Sequence, residues 1–172
     1  MKFELLNHIM RFIVLSVVQI FVLNNIALFD FATPYLYLFF IIALPLKIPN
    51  WALLSVAFLS GLTIDVFTST PGMHASACVT VAFIRPFLLE LISPREGYGS
   101  GNPPLIRSFG LQWFLTYSGI LVVFHHVVLF MIELFRFSEL HRLFGKAFVS
   151  ALFTILLMVI IQYFNQSKKS FE

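Results

Sequence analysis

Charge is scarce in this chain. It has 11 Lys and Arg and 8 Asp and Glu in 172 residues, 11% of the total, against 59% hydrophobic residues. A soluble domain carries about 25% charged and roughly 45–50% apolar residues. So few polar groups cannot clothe so large an apolar fraction, which excludes a soluble globular domain, and the same richness excludes disorder. The basic residues are scattered singly, with no patch interleaved with aromatics, so a nucleic-acid surface is excluded too. Cysteine is almost missing. Cys78 stands alone, which rules out an intrachain disulfide and a cysteine zinc cluster, and in its apolar run it reads as a small buried residue. No small-x-small cleavage site ends the first apolar stretch, which is longer than a signal core of about 7–15 residues. We read it as a retained transmembrane helix. No internal repeat is visible, so an inverted-repeat transporter has no support.

Long apolar runs and 22 Phe are what the chain has in abundance. A span needs about 20 apolar residues at 1.5 Å rise. The sequence therefore predicts an all-α integral membrane protein, a single domain over residues 1–172, with six transmembrane helices in one bundle. They fall at about 9–28, 33–46, 51–66, 72–92, 109–135 and 145–164. The runs are continuously apolar rather than alternating, which excludes a barrel. The second, PYLYLFFIIALPL, is short. Pro45, Lys47, Pro49 and Asn50 separate it from the third, which predicts two spans in a tight hairpin, a re-entrant pair being the alternative.

Counting Lys and Arg in the connections gives the orientation. Lys2, Arg11, Lys47, Arg95, Arg107, Lys168 and Lys169 fall on one side; Arg136, Arg142 and Lys146 fall on the other. Both termini are expected in the cytoplasm. The connection FSELHRLF breaks the rule locally. Phe137, Leu140 and Phe144 share a helical face there and Ser138 can cap it, so it reads either as an amphipathic helix on the membrane surface or as a turn. The connection over 93–108 exceeds the usual loop length of about 4–6 residues and carries Gly97, Gly99, Gly101, Pro94, Pro103 and Pro104. It reads as a partner-contacting loop or as a flexible linker.

Four charges lie in or at the edges of spans: Asp65, Arg85, Glu90 and Glu133. Each costs about 2.5–3.5 kcal/mol at a helix centre. Asp65, Glu90 and Glu133 are near span ends, and Glu133 is expected to snorkel to water. Arg85 lies roughly 20 Å along the fourth span. It must either snorkel to headgroups or find an interior partner, with Glu90, Thr116 and Tyr117 at hand. His125 and His126 are adjacent and point to different sides of a helix, so they do not share a metal easily. No HExxH, no GxSxG, no intramembrane aspartate pair and no carboxylate cluster occurs. No enzyme, cofactor or metal is expected. Small residues at i, i+4 (Ala57 and Gly61; Gly72, Ser76 and Thr80; Ala147 and Ala151) predict close helix contacts, with Gly72→Leu expected to clash in the hairpin between the third and fourth spans.

That hairpin, GLTIDVFTSTPGMHASACVTVAFIRP, resembles the signature of the rod-shape-determining protein MreD family: Gly-x-x-x-Asp at a helix end, then a short loop with Pro-Gly opening the next helix. Gly61, Asp65, Pro71 and Gly72 match it. Chain length and six spans fit as well, and PREGYGSG looks like the Bacteroides-type members. The resemblance implies a non-enzymatic scaffold of the cell-elongation complex in the bacterial inner membrane. Such a protein binds MreC and couples MreB filaments to peptidoglycan synthesis by RodA and its transpeptidase. The family's fold resembles the S-component of energy-coupling-factor transporters, so a vitamin-binding S-component is the alternative. The first helix, FIVLSVVQIFVLNN, lacks the Ala-x-x-x-Ala such components tend to carry. Under the scaffold reading, Asp65 and His74 line the outer mouth of a pocket between helices, Arg85 and Glu90 line its inner side, and Asp65→Ala weakens folding or MreC binding.

Overall fold

The computed structural model describes residues 2–26, 32–99, 103–134 and 140–167. The described chain is all-helical. Its elements are α1 (Lys2–Phe21), a 3-10 turn over Leu23–Asn25, α2 (Leu38–Ile42), α3 (Asn50–Thr68), α4 (Met73–Leu91), α5 (Ile106–Leu134) and α6 (Leu140–Ser167). Five stretches are long and apolar enough to cross a membrane: Leu6–Asn25, Asn50–Thr68, Met73–Leu91, Ile106–Glu133 and Leu143–Phe164. Helices α3 to α6 pack each on the next, and α1 packs on α2 and α3. Large apolar side chains face outward from every long helix, among them Phe21, Trp51, Val66, Phe83, Leu91, Phe124 and Phe164. Water would not tolerate so much exposed hydrocarbon, and lipid does.

The second expected span is not a transmembrane helix. Within 33–46 only the five residues of α2 are helical, a rise of about 7.5 Å. Tyr35 to Leu44 are all buried, so the run is apolar because it lies inside the bundle rather than in lipid. Pro34 and Pro45 deny its ends the helical hydrogen bonds. Non-helical backbone at this depth must find partners in the protein. Gln19 of α1 donates from its amide to the Pro34 carbonyl at 3.0 Å and accepts from the Tyr37 N–H at 3.3 Å. From α6, the hydroxyls of Ser150 and Thr154 accept from the N–H groups of Thr33 and Tyr35 at 3.2 and 3.0 Å. Side chains of α4 and α5 take the carbonyls beyond α2, as described below.

Other expectations are adjusted locally. Helix α5 is broken at Gly110, with φ 83° and ψ 166°, so Ile106–Phe109 is a separate first turn. The described part of the 93–108 connection is pinned rather than free. The Tyr98 hydroxyl donates to the Leu89 carbonyl at 2.8 Å, its ring packs edge-on against Phe109 and Trp113, and the Ile106 N–H donates to Gln162 Oε1 at 2.9 Å. Of FSELHRLF, residues 137–139 lie outside the described residues, and Leu140–Phe144 opens α6 instead of forming an element of its own. Asp30, Gly101, Arg136, Lys168 and Lys169 also lie outside them. Glu133 is exposed, and it also pairs with Lys146 at 3.1 Å, whose ammonium sits 4.3 Å from the Phe130 ring centroid.

An unmade backbone hydrogen bond costs about 1–3 kcal/mol when its partner group stays buried. Gln19→Leu strands two backbone groups of the 32–49 segment, whereas Thr154→Val strands one. Both variants should lower the unfolding midpoint in detergent, Gln19→Leu by more. Equal midpoints for the two would contradict this account of the segment.

Candidate functional site

The site is built on the turn between α3 and α4. Helix α3 ends on Ser69 in the left-handed region, φ 56°, and Gly72 opens α4 at φ 80°. Gly72 cannot cap α4 with a side chain, and Asp65, one turn before the end of α3, takes that role. Its Oδ1 accepts from the His74 N–H at 3.0 Å and the Thr70 hydroxyl at 2.9 Å; Oδ2 accepts from the Ala75 N–H at 2.9 Å. A carboxylate against the free N–H groups of a helix start gains both the hydrogen bonds and the helix dipole. That explains how a carboxylate only 3% exposed is tolerated among apolar helices.

Gly61 makes the reach possible. A Cβ there would stand 2.5 Å from both the Ala75 Cα and the His74 carbonyl oxygen. The two backbones touch one turn below Asp65, and no side chain fits between them. Gly61 and Asp65 are thus one device: close approach, then a remote cap. Gly72 works differently from expectation. Nothing lies within 4 Å of a Cβ built there, so the expected clash is absent and its requirement is the positive φ alone. The Gly72, Ser76 and Thr80 stripe is likewise not the buried one. Ser76 is exposed, and the packed face of α4 is His74, Ala75, Ala77, Cys78, Val81, Ala82 and Arg85. Ala57 with Gly61, and Ala147 with Ala151, are buried as expected.

Below the cap lies a polar cluster that the sequence did not disclose. The Tyr37 hydroxyl is 2.7 Å from His125 Nε2, 3.0 Å from His74 Nδ1 and 3.5 Å from the Cys78 Sγ. Tyr35 sets its ring against His74, His125 and His126, with centroids 5.2 to 5.9 Å apart. The two adjacent histidines do turn to different neighbours. His125 meets Tyr37, while His126 donates from Nδ1 to the Val122 carbonyl at 2.8 Å and presents Nε2 to the Thr154 hydroxyl at 3.3 Å. Both are fully buried, since α5 is covered on both flanks. Among the described residues, no group of three or more His, Cys, Asp or Glu is arranged to hold a metal ion. Tyr37 is hidden in the sequence because PYLYLFF reads as continuous hydrocarbon. Its position two residues from Tyr35 was the only signal.

Arg85 finds an interior partner set and does not snorkel. It is 1% exposed. Its Nε donates to the Tyr117 hydroxyl at 2.7 Å; one terminal nitrogen donates to the Leu44 carbonyl at 2.5 Å and the Pro45 carbonyl at 3.4 Å. Tyr117 passes the chain on to the Ile42 carbonyl at 3.1 Å, and Arg11 reaches the Ala43 carbonyl at 3.4 Å. No carboxylate pairs with Arg85 among the described residues. Glu90, a candidate for that place, is exposed and lines a separate groove of 230 Å³ with Asn50, Leu54, Phe83 and Phe87. Arg85 and Glu90 therefore do not share one pocket wall, which corrects the expectation for the inner side. The charge of Arg85 is instead met by the Leu44 and Pro45 carbonyls just beyond the end of α2, the negative end of a helix.

The mouth near the turn is real. A cavity of 520 Å³ opens there, lined by Asn24, Asn25, Tyr35, Thr68, Thr70, His74 and Glu133 among others. His74 lines it as expected. Asp65 does not, being spent on the cap. Pro71 is exposed on the turn outside it. Compared with known proteins, the chain matches no family model, no curated protein and no solved structure.

Forcing a methyl group into a filled contact costs about 1–3 kcal/mol, and a left-handed backbone costs an L-residue about 1–2 kcal/mol. Gly61→Ala should therefore separate α3 from α4 and weaken the Asp65 cap, whereas Gly72→Ala should cost only backbone strain. Thermal unfolding in detergent, with amide exchange at His74 and Ala75, distinguishes them: exchange should quicken in Gly61→Ala and hold in Gly72→Ala. Arg85→Met leaves the Leu44 and Pro45 carbonyls just beyond α2 without their donor and should destabilise by about 1–3 kcal/mol, the cost of a stranded buried acceptor. A fully stable Arg85→Met protein would show that α2 does not depend on that charge.

Proposed function

We propose that this chain is a non-enzymatic scaffold of the bacterial cell-elongation complex, held in the cytoplasmic membrane with both termini in the cytoplasm. In this reading it binds MreC and helps couple MreB filaments to peptidoglycan synthesis by RodA and its transpeptidase. One observation carries the reading. Of the four residues behind the family resemblance, Gly61 and Asp65 form one device, a close approach with a remote carboxylate cap, and Gly72 supplies the positive φ that opens α4, so three of the four set the α3–α4 turn. A motif in which three of four members serve one geometric end is better explained by a shared architecture than by chance spacing.

The chemistry of the bundle supports the same reading. Its buried polar groups are largely spent on one another and on the backbone of the 32–49 segment. Its apolar helix faces are extensive and outward, as suits a protein that holds other membrane proteins. The turn carrying Pro71 stands at the end that this orientation places outside, where a periplasmic partner is reached.

Depleting the protein in its host should round or widen the cells and scatter new wall incorporation. Asp65→Ala should reduce co-purification with MreC, because loss of a helix cap costs about 0.5–2 kcal/mol and loosens the turn. Asp65→Asn, which keeps one acceptor oxygen, should reduce it less. Normal cell width together with a vitamin requirement would overturn the scaffold reading in favour of a transporter component.

A further inference from the structure

Two side chains at the 520 Å³ cavity have polar atoms that no other described residue uses. Tyr35 is 9% exposed and its hydroxyl takes no hydrogen bond from or to any described residue; His74 is 4% exposed and only its Nδ1 is engaged. Neither atom is sealed away, in contrast to the Nδ1 of His125, which is shut off from solvent and partnerless. The free groups of Tyr35 and His74 are therefore open to the cavity that both residues line.

The hydrogen-bond valences settle what His74 offers. A phenol donates once and accepts at most twice. The Cys78 thiol donates to Tyr37, so the phenol accepts from one of the histidines and donates to the other. If Tyr37 donated to His125 Nε2, the His125 proton would sit on Nδ1, buried with no acceptor. An orphaned buried N–H is rarer than an under-used acceptor. Hence His125 donates from Nε2 to Tyr37, Tyr37 donates to His74 Nδ1, and neutral His74 carries its proton on Nε2. The cavity meets a fixed N–H donor there, backed by a chain of buried hydrogen bonds.

The remaining lining selects a ligand class. Among the described lining residues Glu133 is the single charged one, and Lys146 already neutralises it at 3.1 Å. Asn24 has spent its Oδ1 on Gln19 and Asn25 its Nδ2 on the Ile20 and Phe21 carbonyls, which leaves an amide N–H₂ on one and a carbonyl oxygen on the other. The described lining thus mixes free donors and acceptors without net charge, and the cavity's volume is within the roughly 300–1,000 Å³ of small-molecule sites. We propose that this cavity binds a neutral, polyhydroxylated small molecule of the sugar class, with one oxygen accepting from His74 Nε2–H and a hydroxyl exchanging hydrogen bonds with Tyr35. Hydroxyl groups suit such a lining because each both donates and accepts. The scaffold reading neither requires this site nor falls with it.

The test is ligand-observed saturation-transfer NMR on the full chain in lipid nanodiscs. Glucose and N-acetylglucosamine serve as neutral probes, choline as a cation and phosphate as an anion. At least one neutral sugar should bind saturably, while choline and phosphate should not. Tyr35→Phe removes an oxygen that no other described residue uses, so the melting temperature should hold while sugar affinity falls about fivefold or more. Nitrogen NMR of the unaltered protein gives a readout free of any variant: His74 should show the Nε2-protonated tautomer and shift on sugar addition. No saturable sugar binding, preferential binding of choline or phosphate, sugar binding unchanged in Tyr35→Phe, or an unmoved His74 signal would each overturn the proposal.

Discussion

Everything in this bundle is arranged around a stretch of backbone that is not helical where hydrocarbon surrounds it. Residues 32–49 run through the centre, and only α2 supplies regular hydrogen bonds along them. Lipid offers no replacement for a missing bond, and a buried amide left alone costs as much as a protein of this size can ill tolerate. Four surrounding helices therefore lend polar groups inward: Gln19 from α1, Arg85 from α4, Tyr117 from α5, Ser150 and Thr154 from α6. The constraint ties five elements together more specifically than apolar packing does, because a hydrogen bond fixes direction and a methyl contact does not.

Arg85 illustrates the economy of this arrangement. A guanidinium presents donors in a rigid plane and cannot be neutralised by losing its proton. Buried, it needs several oxygens at once. The carbonyls at the end of α2 need donors for the same reason, since the helix stops after five residues. Each deficit answers the other, and Tyr117 completes the set by donating to Ile42 while accepting from Arg85. The α3–α4 turn repeats the logic with the sign reversed: Asp65 meets the free N–H groups at the start of α4. Anion at a helix start and cation at a helix end are the two charges that this interior tolerates most readily.

Legibility followed the physics of each signal. The long helices were readable, because about twenty apolar residues in a row have few other uses. The weight of Gly61 and Asp65 was readable from their pattern, though not their roles: sequence spacing shows that they share a helix face but not that the opposing backbone is 2.5 Å from a missing Cβ. The reason for Gly72 is not legible, since crowding and positive φ both select glycine and a sequence does not separate them. Tyr37, Gln19 and Thr154 passed unremarked. A polar residue amid hydrocarbon looks like noise until the group it serves, distant along the chain, is brought beside it.

By itself the sequence determined the class of protein: charge too thin for water and apolar runs long enough for lipid left little else. It also determined where most helices lie, because periodicity and length are local properties. Only the tertiary structure decided that the second apolar run is core rather than span, that Arg85 is satisfied by carbonyls rather than by Glu90, and that Asp65 is spent on a cap while His74 and Tyr35 face a cavity. Hydrophobicity is a property of each residue, whereas satisfaction of a buried polar group is a property of pairs far apart in the chain, and such pairs exist only once the chain has folded.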